Sequence, residues 1–287
     1  MTPLFISITL NIQKGSIALI SFFRRTRYAS GVTRAIQIAE RVGGKVDPKE
    51  GYENDACVYL LGRTPDGDEP EYSYYDVMDC GYARLSRVKA GTKGAIITIS
   101  KSQWNELRAL PRTIYFIPHH HVNYDRELRP KDRPVLKIGC CGGDSAIQWP
   151  HDRMKVWVGQ YGLEWYYTNE YLLRDRVVDY YRQLDIQIVF RPTHTRGIPG
   201  HTNPIKLSNA GSFGIPTVAY PEIAYAGEWE PGEVIYADNM GELMKQVERL
   251  KNDKEYYAEA SERARIKAEE YHIDKIIPMY EALPGAK

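Results

Sequence analysis

The stretch of this sequence richest in groups able to do chemistry is residues 185–222, DIQIVFRPTHTRGIPGHTNPIKLSNAGSFGIPTVAYPE. An apolar run ends at Phe190, and Arg191, Thr193, His194 and Arg196 crowd the loop behind it. Asn203-Pro204 then marks a helix start. Asn is a favoured N-cap, and Pro loses nothing at the first helical position, where its N–H would have no partner. The amino end of a helix presents unpaired N–H groups and a partial positive charge, a natural seat for a phosphate. Lys206 falls in that first turn, where a cation opposes the helix dipole, and an anionic ligand would supply the reason for it. A second stretch, residues 137–155, reads KIGCCGGDSAIQWPHDRMK. A strand running straight into Gly142-Gly143 lets backbone approach a ligand closely, because glycine has no Cβ to collide. His119-His120-His121 raises a third possibility, a metal site. Consecutive residues of an extended segment point to alternate sides, so at most two of them share an ion. Asp125 is the nearest further ligand type. A structural role for the triplet is expected, with substrate contact as the alternative and no metal.

The elements that must position these groups read as α/β: apolar runs of strand length alternate with helix-length stretches, the pattern of parallel sheets. Residues 16–23, 56–61, 95–99 and 113–117 read as strands. A helix follows the first of them, with Val32, Ile36, Ala39 and Val42 at helical spacing and Gly43-Gly44 as its stop. Residues 65–75 are polar and acidic and read as a surface loop, and residues 102–109 as a short helix. Residues 119–133, with DRELRPKDRP, are polar and aperiodic and read as a linker. The alternation then resumes, with strands at 135–141, 186–190 and 217–220 and helices at 172–184, 204–212, 239–252 and 254–271. Loops that follow two strands of one open sheet meet beyond the carboxyl edge, where ligands of such sheets sit.

The chain has 287 residues, 43% hydrophobic and 26% charged, with a net charge of +1. Those values fit a globular protein of two modest domains. They exclude a disordered tail protein and a polyanion binder acting through bulk charge. The charge is unevenly spread: residues 1–133 hold 20 basic and 15 acidic side chains, the remainder 18 and 22. Tyr is abundant, 22 against 6 Phe, and a core role is favoured over sugar or base stacking. Cys57, Cys80, Cys140 and Cys141 form no CxxC pair and read as reduced, which fits a cytoplasmic protein. The first 23 residues are apolar, but Asn11, Gln13 and Lys14 interrupt them and no basic region precedes them. Two strands with a turn near Lys14-Gly15 are expected there, rather than a leader or a membrane span.

The segment IKLSNAGSFGIPTVA is similar to the "K-L-x-E-A-x-x-x-G-x-P-V-V-A" helix–turn–strand of nucleotide-sugar glycosyltransferases with the GT-B fold, of the retaining "glycosyl transferases group 1" type. TIYFIPHHHVNYDRELRP resembles their interdomain "v-I-P-N-G-v-D" linker, IGCCGG their first donor-domain strand and glycine loop, and IIPMYEAL their terminal helix. SFFRRTRYASGVTRAIQIAERVG resembles the strand, loop and helix that open their first domain. The resemblance implies two Rossmann-like α/β domains facing a cleft: residues 1–118 for the acceptor, 119–133 as linker, 134–270 for the donor, and 271–287 as a helix crossing back.

It also implies roles. Arg191 and Lys206 would contact the donor diphosphate and neutralise the leaving group, and Gly142 and Gly143 would let backbone approach. His194, Asn203, Ser208 and Asn209 would line the donor site, and Arg24, Arg27 and Gly31 would face the cleft from the acceptor side. Two glutamates eight positions apart in retaining members read His201 and Asn209 here. His201 then stands as a catalytic candidate, and Asn209 would bond ribose hydroxyls. Inverting members need a His or carboxylate from the first domain. Residues 1–118 contain no His, which leaves Asp76 and Asp79. The implied activity is sugar transfer from a UDP- or GDP-sugar to a hydroxyl acceptor, with no metal or other cofactor. The alternatives are a sugar-nucleotide epimerase or a non-catalytic nucleotide-sugar-binding protein. The basic cluster RRTRYASGVTR admits DNA with a hydroxylated base as acceptor, beside a small molecule or a glycan.

Overall fold

The computed structural model describes residues 19–25, 31–78, 82–142, 147, 149–169, 173–191 and 203–286. Two parallel sheets organise them. The first holds β1 (Ile20–Phe23), β2 (Lys45–Val46), β3 (Ala56–Leu60), β4 (Ser73–Asp76), β5 (Ala95–Thr98) and β6 (Ile114–Phe116) in the order β2-β1-β3-β4-β5-β6. Every neighbouring pair is parallel. β1, β3 and β4 are buried along their whole length, as strands covered on both faces must be. Helix α1 opens with a π-helical stretch, Val32–Ile36, and continues as Gln37–Val42. It stops where expected, at Gly43, whose φ of 71° suits a residue without a Cβ. α2 (Tyr82–Gly91) and α3 (Lys101–Leu107) complete the crossovers.

The second sheet holds β7 (Lys137–Cys141), β8 (Glu164–Thr168), β9 (Ile186–Val189), β10 (Thr217–Ala219) and β11 (Ile235–Tyr236), in the order β11-β10-β9-β7-β8 and again all parallel. Around it pack α4 (His151–Gly159), α5 (Arg174–Gln183), α6 (Ile205–Ser212), α7 (Ile223–Ala226), α8 (Met240–Asn252) and α9 (Lys254–Ala268). After a 3-10 turn at Glu269–Tyr271, α10 (Ile273–Glu281) packs Ile273, Ile276 and Tyr280 against Phe22, Ile38 and Val58 of the first unit. Both sheets are doubly wound. The winding reverses between β1 and β3 and again between β7 and β9, so the loops leaving those strand pairs diverge and leave a crevice at the carboxyl edge.

The abundant tyrosine is core material: Phe23, Tyr59 and Tyr75 stack in series at 4.7 and 5.4 Å. Cys57, Cys140 and Cys141 are buried and unbridged. Two expectations need correction. Residues 65–75 do not form a loop throughout, because β4 begins at Ser73 and is fully buried; its aromatic SYYD lacks the aliphatic run that marks its neighbours. Helix α6 starts one residue late: Pro204 is its N-cap, and Asn203 serves it by accepting the Ile205 N–H at Oδ1 (3.1 Å). Residues 119–133, read as a linker, do run between the two sheets, and what their polar sequence hid is how firmly they are tied down. Arg129 and Arg133 both ion-pair with the buried Asp185 at 2.8 Å, and the backbone N–H of Val122 donates to Asn209 Oδ1 at 3.0 Å. Polar side chains go inside here because each finds a partner. The proposed turn near Lys14-Gly15 and Cys80 lie outside the described residues. No described helix is long and apolar enough to cross a membrane.

His119, His120 and His121 are 2%, 0% and 1% exposed. His120 Nε2 lies 2.9 Å from Gln37 Oε1 and 3.1 Å from the Tyr124 hydroxyl, and the ring of His121 sits edge-on to that of His272. Burial holds all three neutral, with Arg34 adding to the effect at His119 and His120, and it pulls His121 down to about 3. The role is structural, as the residue pattern suggested. Above a pH of about 6.5 neither folded nor unfolded chain protonates these rings. Below it the unfolded chain takes up protons that the folded chain refuses, so stability falls with pH by up to about 1.4 kcal/mol per unit for each ring. Denaturant midpoints measured from pH 7 to pH 5 should therefore decline, and His121→Gln should flatten the slope.

Candidate functional site

The crevice of the second sheet gathers the candidate groups. β7 ends at Cys141, and Gly142 follows with a φ of 144°, a backbone shape that residues with a Cβ rarely adopt. Its N–H donates to the Thr168 carbonyl (3.0 Å), and its own carbonyl accepts the Tyr167 hydroxyl (2.9 Å). Tyr167 stacks on His151 at 3.5 Å. Across the crevice, Arg191 follows β9. Its Nε and Nη2 donate to the two oxygens of Glu222 at 2.7 and 2.6 Å, and Nη2 also reaches the Tyr225 hydroxyl at 2.9 Å. Beneath it, Phe190 stacks on Trp149 at 5.2 Å. Burial works to lower the pKa of Arg191, but Tyr225 and Glu222 outweigh it, and the guanidinium is firmly charged.

Lys206 stands in the first turn of α6, as its position after Asn203-Pro204 required. Gln187 Nε2 donates to its carbonyl at 2.6 Å and pins the turn to β9. The residue as a whole is half-buried. Burial and then Arg191 pull its pKa down, while Cys141, Cys140 and Glu222 act in the other direction. Burial pushes the two thiols up to about 12 and about 11, so both are neutral at physiological pH and leave the lysine unbalanced. Among the described residues, no carboxylate comes within ion-pair distance of the Lys206 ammonium. Among the described residues, Arg191 and Lys206 against Glu222 leave the core of the crevice with one surplus positive charge. A cation partly out of water without a counter-charge is costly, and an entering anion would remove that cost through charge-assisted hydrogen bonds. The site is suited to hold a diphosphate and to stabilise it as a leaving group.

Not every candidate points into this crevice. Ser208 is fully buried, and its Oγ donates to the Ile205 carbonyl (3.2 Å). Asn209 is 6% exposed and its carboxamide joins Val122 and Tyr181. Three and four residues beyond Ile205, both sit on the inner face of α6; Asn209 braces the connecting segment, and the Ser208 hydroxyl closes on its own helix. Arg24, at the carboxyl end of β1, is held within its own unit: its backbone N–H and Nε donate to the two oxygens of Asp47 at 2.7 and 2.8 Å. Gly31 opens α1 in an ordinary right-handed conformation (φ −68°), so its backbone does not require glycine. Gly143, His194, His201, Arg27, Arg196 and Asp79 lie outside the described residues.

Asp76 is not placed to act as a base. It is fully buried, with Oδ2 taking the Arg34 Nε–H at 2.6 Å and Oδ1 the Met78 N–H at 3.1 Å. Arg34 Nη1 continues to the Pro118 carbonyl at 3.0 Å. Sequence reasoning missed Glu222, the carboxylate that fixes Arg191. Its signal was an acid just past the strand that follows the one ending at Phe190. It also missed the aromatic wall of Trp149 and Tyr167, which carries no motif. No described cluster of three or more His, Cys, Asp or Glu is arranged to hold a metal ion.

No family model matches the chain. A Haemophilus influenzae protein described as an uncharacterized glycosyltransferase is 30% identical over 96 residues, which is 32% of this chain and 26% of that protein. The chain thus spans about a quarter of the length of that curated relative. Among solved structures, HepE of Anabaena in complex with UDP and glucose superposes with a TM-score of 0.59 at 8% identity, covering 92% of this chain and 97% of that one. An α-glucosyltransferase in complex with UDP-glucose and DNA containing an abasic site gives 0.52 at 8% identity, covering 88% and 95%. The two doubly wound parallel sheets of this chain, joined by a buried connecting segment and by a last helix that returns to the first sheet, agree with that likeness, and the chain has the GT-B fold.

Proposed function

We propose that the chain is a glycosyltransferase that moves a sugar from a nucleoside-diphosphate donor, UDP- or GDP-linked, to a hydroxyl acceptor. The observation that carries this reading is the ammonium of the half-buried Lys206, unmatched by any described carboxylate, at the switch point between β7 and β9. There it acts on Cys141, the residue before Gly142, on one side and on the Arg191–Glu222 clamp on the other. Lys206 would take up the charge that develops on the departing diphosphate, and Arg191, fixed by Glu222, would offer its Nη1 edge to the same group. The likeness to HepE, solved with UDP and glucose, supports the donor class. The test is a screen of UDP-, GDP- and ADP-sugars for hydrolysis and transfer. Release of nucleotide from at least one of them is the expected result. Binding without turnover of any donor would favour a non-catalytic binding protein, to which the absence of a glutamate pair at positions 201 and 209 also points.

For the acceptor, the likeness to the α-glucosyltransferase solved with DNA supports DNA beside a small molecule or a glycan. The same screen, run with duplex carrying a hydroxylated base, should then show label transferred to DNA.

A further inference from the structure

The two sheets are also tied at the mouth between their carboxyl edges. β5 ends at Thr98 and α3 begins at Lys101; β10 ends at Ala219, and the turn behind α7 carries Glu228. Glu228 is 4% exposed. Its Oε1 accepts the backbone N–H of Lys101 at 2.7 Å, and its Oε2 accepts the Tyr271 hydroxyl at 2.8 Å. The Lys101 N–H is one of the donors that a helix start leaves without an intrahelical partner. Ser100 Oγ satisfies another by accepting the Gln103 N–H at 3.2 Å. The cap of α3 is therefore shared: one acceptor comes from its own unit and one from the opposite unit. Trp229, 1% exposed, stacks on Tyr271 at 5.8 Å and makes the seat of the carboxylate dry.

We propose that Glu228 is a latch that holds the two units closed across the cleft, and that releasing its bond to α3 lets them swing apart about the two crossing segments, residues 119–133 and 269–272. The placement favours a latch over an ordinary packing contact. A bond to a helix end rather than to a side chain forms at one relative orientation of the units, and it lies at the rim, where a small rotation breaks it. The donors facing the carboxylate are the Lys101 N–H and the Tyr271 hydroxyl, with Lys101 and Lys267 acting from farther off and Lys267 itself paired to Glu270 at 2.8 Å. Burial pushes the carboxyl pKa up against the pull of its two donors, and an amide oxygen satisfies the same N–H. Glu228→Gln therefore keeps the latch and Glu228→Ala removes it. The proposal stands apart from the transferase reading, because its tests use the full chain without nucleotide.

Hydrogen exchange should show the Lys101 amide exchanging about tenfold faster in Glu228→Ala, the effect of losing one charge-assisted bond, and close to wild type in Glu228→Gln. Small-angle scattering should show a larger radius of gyration for the alanine variant alone. Tyr271→Phe, which keeps the ring stack but frees the carboxylate, should fall between the two and serves if the alanine variant does not fold. Unchanged Lys101 exchange in Glu228→Ala, unchanged scattering, or equal changes in Ala and Gln variants would each overturn the proposal.

Discussion

Replacing Lys206 by alanine should lower the affinity of the chain for the proposed nucleoside diphosphate about 10- to 100-fold, the range for loss of one hydrogen bond to a charged group, while thermal stability stays equal or rises. The two halves of this result have one cause. The residue is half-buried, the pKa of its ammonium is pulled down by burial and by Arg191, and no described carboxylate balances it. A cation in such a position destabilises the empty fold and is retained for what enters beside it. Its backbone is held independently, by the Gln187 bond to its carbonyl and by the Asn203 cap on Ile205, so α6 survives loss of the side chain. Lys206→Arg should not restore affinity fully, because a planar fork does not reproduce a compact ammonium beside Arg191. Titration calorimetry with UDP and GDP reads the affinity, and a melting curve reads the stability. A lysine that merely decorates the surface would change neither.

The second large effect is on folding. Arg34 and Asp76 form an ion pair with side chains 1% and 0% exposed, and the arginine also carries the Pro118 carbonyl where the chain enters the connecting segment. Removing one partner of such a pair leaves the other charge buried and uncompensated, at a cost of about 3–5 kcal/mol. Arg34→Met should therefore lower the urea midpoint sharply. Arg34→Met combined with Asp76→Asn should recover most of the loss, because the amide oxygen still accepts the Met78 N–H and no charge is stranded. Were Asp76 a general base, Asp76→Asn would abolish turnover at unchanged stability. The buried geometry predicts the reverse ordering, with stability affected first.

What could be read from residues alone follows a physical division. Periodicity and the glycine stops found α1 with its end at Gly43, the strands β3, β5, β7, β9 and β10, and the helices α8 and α9, because each carries its own apolar pattern. β4 and β8 escaped: SYYD and EWYYT are built from tyrosine and tryptophan, whose half-polar character hides a fully buried strand in the first case and a half-exposed edge strand in the second. Within the site, Gly142, Arg191 and Lys206 were legible because each is tied to a strand end or a helix start. Ser208 and Asn209 were placed by similarity of motif; in the structure the Ser208 hydroxyl turns back to Ile205 and the Asn209 carboxamide faces Val122 and Tyr181. Asp76 and the three linker histidines show the general difficulty. A titratable residue in sequence has no address, and partners 42 and 83 positions away, Arg34 and Gln37, decide whether it does chemistry or holds the fold.

The central claim is that the crevice between β7 and β9 is a nucleoside-diphosphate site completed by Lys206. Calorimetric titration of the full chain with UDP, GDP and ADP, with wild type and Lys206→Ala measured side by side, tests it most directly. The account predicts one-to-one binding of at least one of the three by wild type and a loss of about 10- to 100-fold in the variant. Absence of binding by all three, or equal affinity of both proteins for the one that binds, would contradict it.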